Sequence, residues 1–132
     1  MPDKSTLVAS SDVLLVEDDP SLLAGIVAAL KQAGIEAKGY RGFEDARRYL
    51  SEHRPDVLIT DVRLGAFNGL QLVLLFKSQQ PRGRAIVFSG FDDPVLRQEA
   101  ARCGARYLVK PVSSETILNL LREDQEVTPP SA

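Results

Sequence analysis

The sequence has a single cysteine, Cys103, so no disulfide can close within the chain. It lies in an amphipathic segment where any small apolar residue would serve, which makes it core filler rather than a redox group. Long apolar runs are also missing. Nothing approaches the roughly 20 residues of a membrane span, and the stretch from Met1 to Ser10 lacks the apolar core of a secretion signal. These absences point to a cytoplasmic protein with no membrane partner. Nor is there an excess of one charge: 16 Lys and Arg stand against 18 Asp and Glu, a formal net charge of -2. That balance offers no field for direct nucleic acid binding. The chain shows no low-complexity stretch and no internal repeat beyond the alternation described next.

What is present is an ordinary globular composition, 44% apolar and 26% charged over 132 residues, enough for one buried core. Short β-rich apolar runs alternate with helical patterns, the signature of βα units around a parallel sheet. Strands are expected at Asp12 to Glu17, Ile35 to Tyr40, Asp56 to Thr60, Arg84 to Phe88 and Ala105 to Val109. Val57-Leu-Ile59 and Ala85-Ile-Val-Phe88 are continuously apolar, as strands covered on both faces should be. Helices are expected over Pro20 to Ala33, Phe43 to His53, Leu70 to Gln79, Asp93 to Cys103 and Ser114 to Arg122. Pro20 suits a first helical position, and Gly34 and Gly104 sit where helices leave in a left-handed turn. Residues 1–11 read as an N-terminal extension, 12–122 as one domain, and 123–132 as a flexible tail or linker stub.

Each expected strand but the second is followed by polar residues of a particular kind. Glu17-Asp18-Asp19 follow the first, Asp61 the third, Ser89 the fourth, and Lys110-Pro111 the fifth. In a parallel α/β sheet these positions gather in one crevice. Crowded carboxylates raise each other's free energy of ionisation unless a cation neutralises them, and oxygen donors suit Mg²⁺, or Mn²⁺ in its place. A helix N-cap would account for one acid of the first group but not for three in a row matched by Asp61. An ionised aspartate can attack phosphorus when the phosphoryl charge is shielded, and Lys110 and a metal would shield it. Ser89 can hydrogen-bond a phosphoryl oxygen, with Gly90 leaving room for the group to approach.

Taken in order, these motifs resemble the receiver domain of two-component response regulators, of which the single-domain chemotaxis regulator is the simplest. The likeness runs from Asp12 to about Leu121, with Tyr107 at the aromatic position before the lysine and Gly69 closing the loop after Asp61. It implies a flavodoxin-like, doubly wound five-stranded α/β sheet in the order 2-1-3-4-5 with helices on both faces. It also implies that Asp61 accepts a phosphoryl group from the phosphohistidine of a histidine kinase or phosphotransfer protein, with Mg²⁺ required. Asp18 and Asp61 would ligate the metal, Glu17 through water and Arg63 through its backbone carbonyl. Ser89 and Tyr107 would form the switch, and a downstream protein target would read it, with Arg97, Arg102 and Arg106 on the surface concerned.

Some positions depart from the family pattern. Gly65-Ala66 stand where the loop after the acceptor commonly carries proline, which should loosen that loop. By analogy with the family, Arg63 and Phe91 would flank the path of attacking water, and they lack a group to orient it, so self-dephosphorylation should be slow. The third helix is nearly encircled by apolar residues, and Leu74 and Leu75 are expected to face outward toward a partner or a second copy in a homodimer. Two other readings compete with the receiver. A small aspartate-nucleophile phosphohydrolase of the haloacid dehalogenase type would want an acid at position 63, which is arginine. A receiver-like scaffold would work without phosphorylation, against the intact acids, Ser89 and Lys110. With no room for an effector domain, the chain is expected to be a stand-alone regulator or a receiver from a longer protein.

Overall fold

Apolar side chains alternate between two faces along the central strands, and each face finds its own layer of helices. The computed structural model describes residues 12–126. Its strands are β1 (Asp12–Val16), β2 (Glu36–Tyr40), β3 (Val57–Asp61), β4 (Arg84–Ser89) and β5 (Ala105–Val109). Its helices are α1 (Pro20–Gln32), α2 (Phe43–Glu52), α3 (Gly69–Gln79), α4 (Pro94–Arg102) and α5 (Ser114–Glu126). The five strands form one parallel sheet in the order β2-β1-β3-β4-β5, the flavodoxin-like topology expected from the sequence. Leu14, Val16, Leu58 and Val87 face a layer holding Leu50, Leu72, Phe76 and Ala100. Val13, Leu15, Ile59, Ile86 and Phe88 face the opposite layer with Ile26, Leu30, Ile117 and Leu121. All five residues of β3 are buried, which is why that strand reads as a continuous apolar run closed by Thr60 and Asp61.

Polar residues at the strand ends start the helices. Asp19 Oδ1 accepts from the backbone N–H of Ser21 at 3.0 Å ahead of α1, and Asp93 Oδ1 accepts from that of Val95 at 2.9 Å ahead of α4. Each cap is followed by a proline at the first helical position. Asp93 and Cys103, read from sequence as the ends of that helix, are instead its flanking caps.

Two expectations are corrected. The last helix does not stop at Arg122 but runs to Glu126, so the polar stretch that read as tail is in part helix. Glu and Gln are good helix formers, and the guanidinium of Arg84 donates to the Leu121 carbonyl at 2.9 Å, tying this helix to the start of β4. The proposed N-terminal extension and residues 127–132 lie outside the described residues. On α3, Leu74 is 58% exposed as expected, but Leu75 packs in part against the core. The helix meets both the sheet and α2, so its apolar arc is wider than one stripe. Leu74→Glu should therefore change stability by less than about 0.5 kcal/mol, and Leu75→Glu should cost about 1 to 2 kcal/mol, in urea unfolding. Equal costs would contradict this division.

Candidate functional site

Parallel register brings the strand ends level. Val16 lies opposite Thr60, Asp61 opposite Phe88, and Ser89 opposite Val109. The loops that follow therefore converge on one cleft of about 180 Å³, lined by Asp18, Asp61, Arg63, Ser89, Phe91 and Lys110 among others.

At its floor one ammonium serves two buried carboxylates. Lys110 Nζ lies 2.7 Å from Asp61 Oδ1 and 3.1 Å from Glu17 Oε1. Asp61 is 3% exposed and Glu17 is fully buried. Glu17 Oε2 accepts from the Asp19 N–H at 3.0 Å, and Asp61 Oδ2 accepts from the Asp18 N–H at 3.4 Å. Glu17 Oε1 has no aligned hydrogen-bond donor, so Lys110 meets that oxygen as a contact between charges while donating to Glu17 Oε2 at 3.4 Å. Burial, and then the neighbouring Asp61, push the Glu17 carboxyl up to about 7. Burial alone would lower the Lys110 pKa, but Asp61 and Glu17 outweigh it and hold the ammonium above its ordinary value.

The cluster is short of positive charge. Oxygens of Glu17, Asp18 and Asp61 lie within 4.8 Å of one another, so the three can hold a metal ion. An all-oxygen donor set, with one buried oxygen lacking a donor, is what a hard cation fits.

Backbone contacts fix the Asp61 end of β3. Thr60 Oγ1 donates to the Asp61 carbonyl at 2.9 Å. A side chain on Gly69 would collide with that same carbonyl oxygen, so only glycine allows α3 to begin so close to it. Between them Arg63–Leu64 and Phe67–Asn68 pair antiparallel. Gly65, expected to loosen this loop, has φ 64° in its two-residue turn, a backbone conformation that favours glycine.

On the other wall, Ser89 Oγ accepts from the Phe91 N–H at 3.2 Å, and the Tyr107 hydroxyl donates to the Phe91 carbonyl at 2.7 Å. Ser89 and Tyr107 are thus connected through the backbone of one residue.

The family model described as the response regulator receiver domain matches residues 13–122. The chain belongs to that family. Among curated relatives, this receiver domain is 27% identical over 125 residues to the photosynthetic apparatus regulatory protein RegA of Rhodobacter capsulatus, covering 94% of the chain and 68% of RegA. It spans only 31% and 24% of two longer transcriptional regulators that it also matches. Among solved structures, the chemotaxis response regulator CheY4 of Vibrio cholerae is 28% identical with a TM-score of 0.76, covering 86% of this chain and 97% of that one. A Burkholderia pseudomallei response regulator, solved with a phosphorylated aspartic acid, calcium ion and citrate, has the same fold at 23% identity and a TM-score of 0.79, covering 88% of this chain and 69% of that one.

Of the residues read from sequence, Glu17, Asp18, Asp61, Arg63, Ser89, Phe91 and Lys110 meet at the cleft. Tyr107 reaches it only through Phe91. Arg97, expected on a partner-binding surface, pairs with Asp92 at 2.8 Å and lies over the Tyr107 ring, 4.8 Å from its centre. Arg102 and Arg106 are exposed near the far ends of α4 and β5. Thr60 and the steric role of Gly69 were not read from sequence, because each acts on a backbone carbonyl that no motif marks. No helix among the described residues is long and apolar enough to cross a membrane.

The raised Glu17 pKa has a direct consequence for stability. Glu17 titrates near 7 in the fold against an ordinary 4.5, so its contribution is intact below pH 4.5 and is lost as the pH rises through 7. The full shift corresponds to on the order of 3 kcal/mol. In EDTA, Glu17→Gln should stabilise the protein relative to the native chain at pH 8 and not at pH 5, by urea unfolding. A mutational difference independent of pH would show that Glu17 ionises normally.

Proposed function

We propose that this receiver domain accepts a phosphoryl group on Asp61 from the phosphohistidine of a histidine kinase or phosphotransfer protein and changes its affinity for a downstream protein target. The observation that carries this reading is the Asp61 carboxylate itself, opening on the cleft with Lys110 Nζ at 2.7 Å. An Asp61 oxygen attacks phosphorus, the P–O bond forms as the P–N bond breaks, and the imidazole leaves, taking its proton from solvent. The ammonium pairs with Asp61 beforehand and afterwards can turn to a phosphoryl oxygen. Asp18 and Asp61 would hold Mg²⁺, or Mn²⁺, with Glu17 acting through water and Arg63 through its carbonyl. When bound, the metal supplies neutralising charge to the phosphoryl oxygens. That the Burkholderia protein was solved with a phosphorylated aspartic acid and a calcium ion is consistent with a divalent cation here.

Switching follows from the link between Ser89 and Tyr107. A phosphoryl group on Asp61 recruits the Ser89 hydroxyl, which then yields its hold on the Phe91 N–H and moves the carbonyl that Tyr107 holds. The shift is between two packings, biased by whatever contacts the phosphoryl group gains.

Incubation with acetyl phosphate and Mg²⁺ should add one phosphoryl group by mass, and Asp61→Asn or EDTA should abolish the addition. No Asp61-dependent gain would favour a receiver fold that works as a phosphorylation-independent scaffold. Arg63 and Phe91 line the cleft without a group to orient water. Arg63→Asn with Phe91→Glu should therefore shorten the phosphorylated lifetime roughly tenfold, followed by loss of the added mass over time. An unchanged lifetime would remove these two residues from the account.

A further inference from the structure

The junction between β2 and α2 carries none of the residues assigned to the site, yet it touches both acidic loops. Opposite the acids of the first loop, the Tyr40 carbonyl accepts from the Glu17 N–H at 3.0 Å. The next residue, Arg41, donates from Nε to the Asp18 carbonyl at 3.3 Å. Two residues on, the Phe43 ring stacks on Phe67, with centroids 4.5 Å apart and planes 10° from parallel. Phe67 belongs to the short antiparallel pair that closes the loop after Asp61, opposite Leu64.

Phe67 is 45% exposed, so burial alone does not explain its placement. Its ring gains an aromatic partner on another element, and that partner fixes where the Asp61 loop sits relative to α2. Arg41 is exposed as well, and its Nε donates to a backbone carbonyl rather than to a carboxylate. That bond ties the guanidinium to the backbone of the Glu17-Asp18-Asp19 loop.

We infer that Arg41 and Phe43 are positioning residues that set the separation of the Asp18 and Asp61 loops, and so tune how well the acids hold a divalent cation. Partners that orient ligands from outside the coordination shell commonly affect metal affinity about tenfold or more. The inference rests on reading the acids as a metal site, and the sign of the effect makes it testable. Were Arg41 only a nearby positive charge, its removal would strengthen cation binding, because a repulsion is lost. Acting through position, its removal weakens binding.

The experiment titrates the full chain with Mn²⁺, followed by the loss of free-ion electron paramagnetic resonance signal, for the native protein, Arg41→Ala, Phe43→Ala and Phe43→Leu. Arg47→Ala is the control, since Arg47 pairs with exposed Glu44 on the same helix. Urea unfolding of each variant identifies any that fail to fold, and Phe43→Leu retains apolar bulk if Phe43→Ala does not fold. Arg41→Ala and the folded Phe43 variant should each bind Mn²⁺ about tenfold more weakly, with Arg47→Ala unchanged. Native-like or tighter binding by Arg41→Ala, or native-like binding by Phe43→Leu, overturns the inference. Failure of the native chain itself to bind Mn²⁺ would instead overturn the metal reading on which it rests.

Discussion

One ammonium shared by two buried carboxylates organises the functional end of this molecule. Lys110 lies within 3.1 Å of both Asp61 and Glu17, so the two acids together exceed the charge it can neutralise. The burial that makes the arrangement costly also makes it responsive. A buried pair that loses or gains a charge changes energy far more than an exposed one. Glu17 meets the deficit by holding a proton near neutral pH, and a cation bound to the acids would meet it differently. A metal on the acids or a new negative charge on Asp61 would each act on this same lysine.

Everything that places this lysine is structural. The parallel register levels the strand ends, the continuous apolar runs bury β3 and β4 between helices, and the Lys110 N–H bonds to the Ser89 carbonyl at 2.7 Å. Caps supplied by Asp19, Asn68 and Asp93 start three helices directly beside the cleft, so that local signals and global site coincide in sequence. The exposed pairs elsewhere, such as Arg47 with Glu44, contribute little by comparison.

The parts that were legible in the sequence are those with a period or a strand context. Alternating apolar runs gave all five strands, and an acid, hydroxyl or lysine after such a run marked a cleft residue. What was not legible depends on contacts between loops. Gly65 read as flexibility because sequence shows its freedom but not the turn that uses it. Leu75 read as exposed because a helix wheel shows one packing partner, while α3 has two. Arg41 belongs to no motif in the sequence, and only the fold brings it to the Asp18 carbonyl.

The shared lysine is tested most directly by a crystal structure of the protein with Mg²⁺ and beryllofluoride, a phosphoryl analogue. Lys110 Nζ should leave Glu17 and contact a fluorine on Asp61, with Ser89 Oγ released from the Phe91 N–H and bound to another. If the analogue sits on Asp61 while Lys110 still bridges Asp61 and Glu17 and Ser89 still holds Phe91, the lysine does not respond to charge added at Asp61, and the account is contradicted.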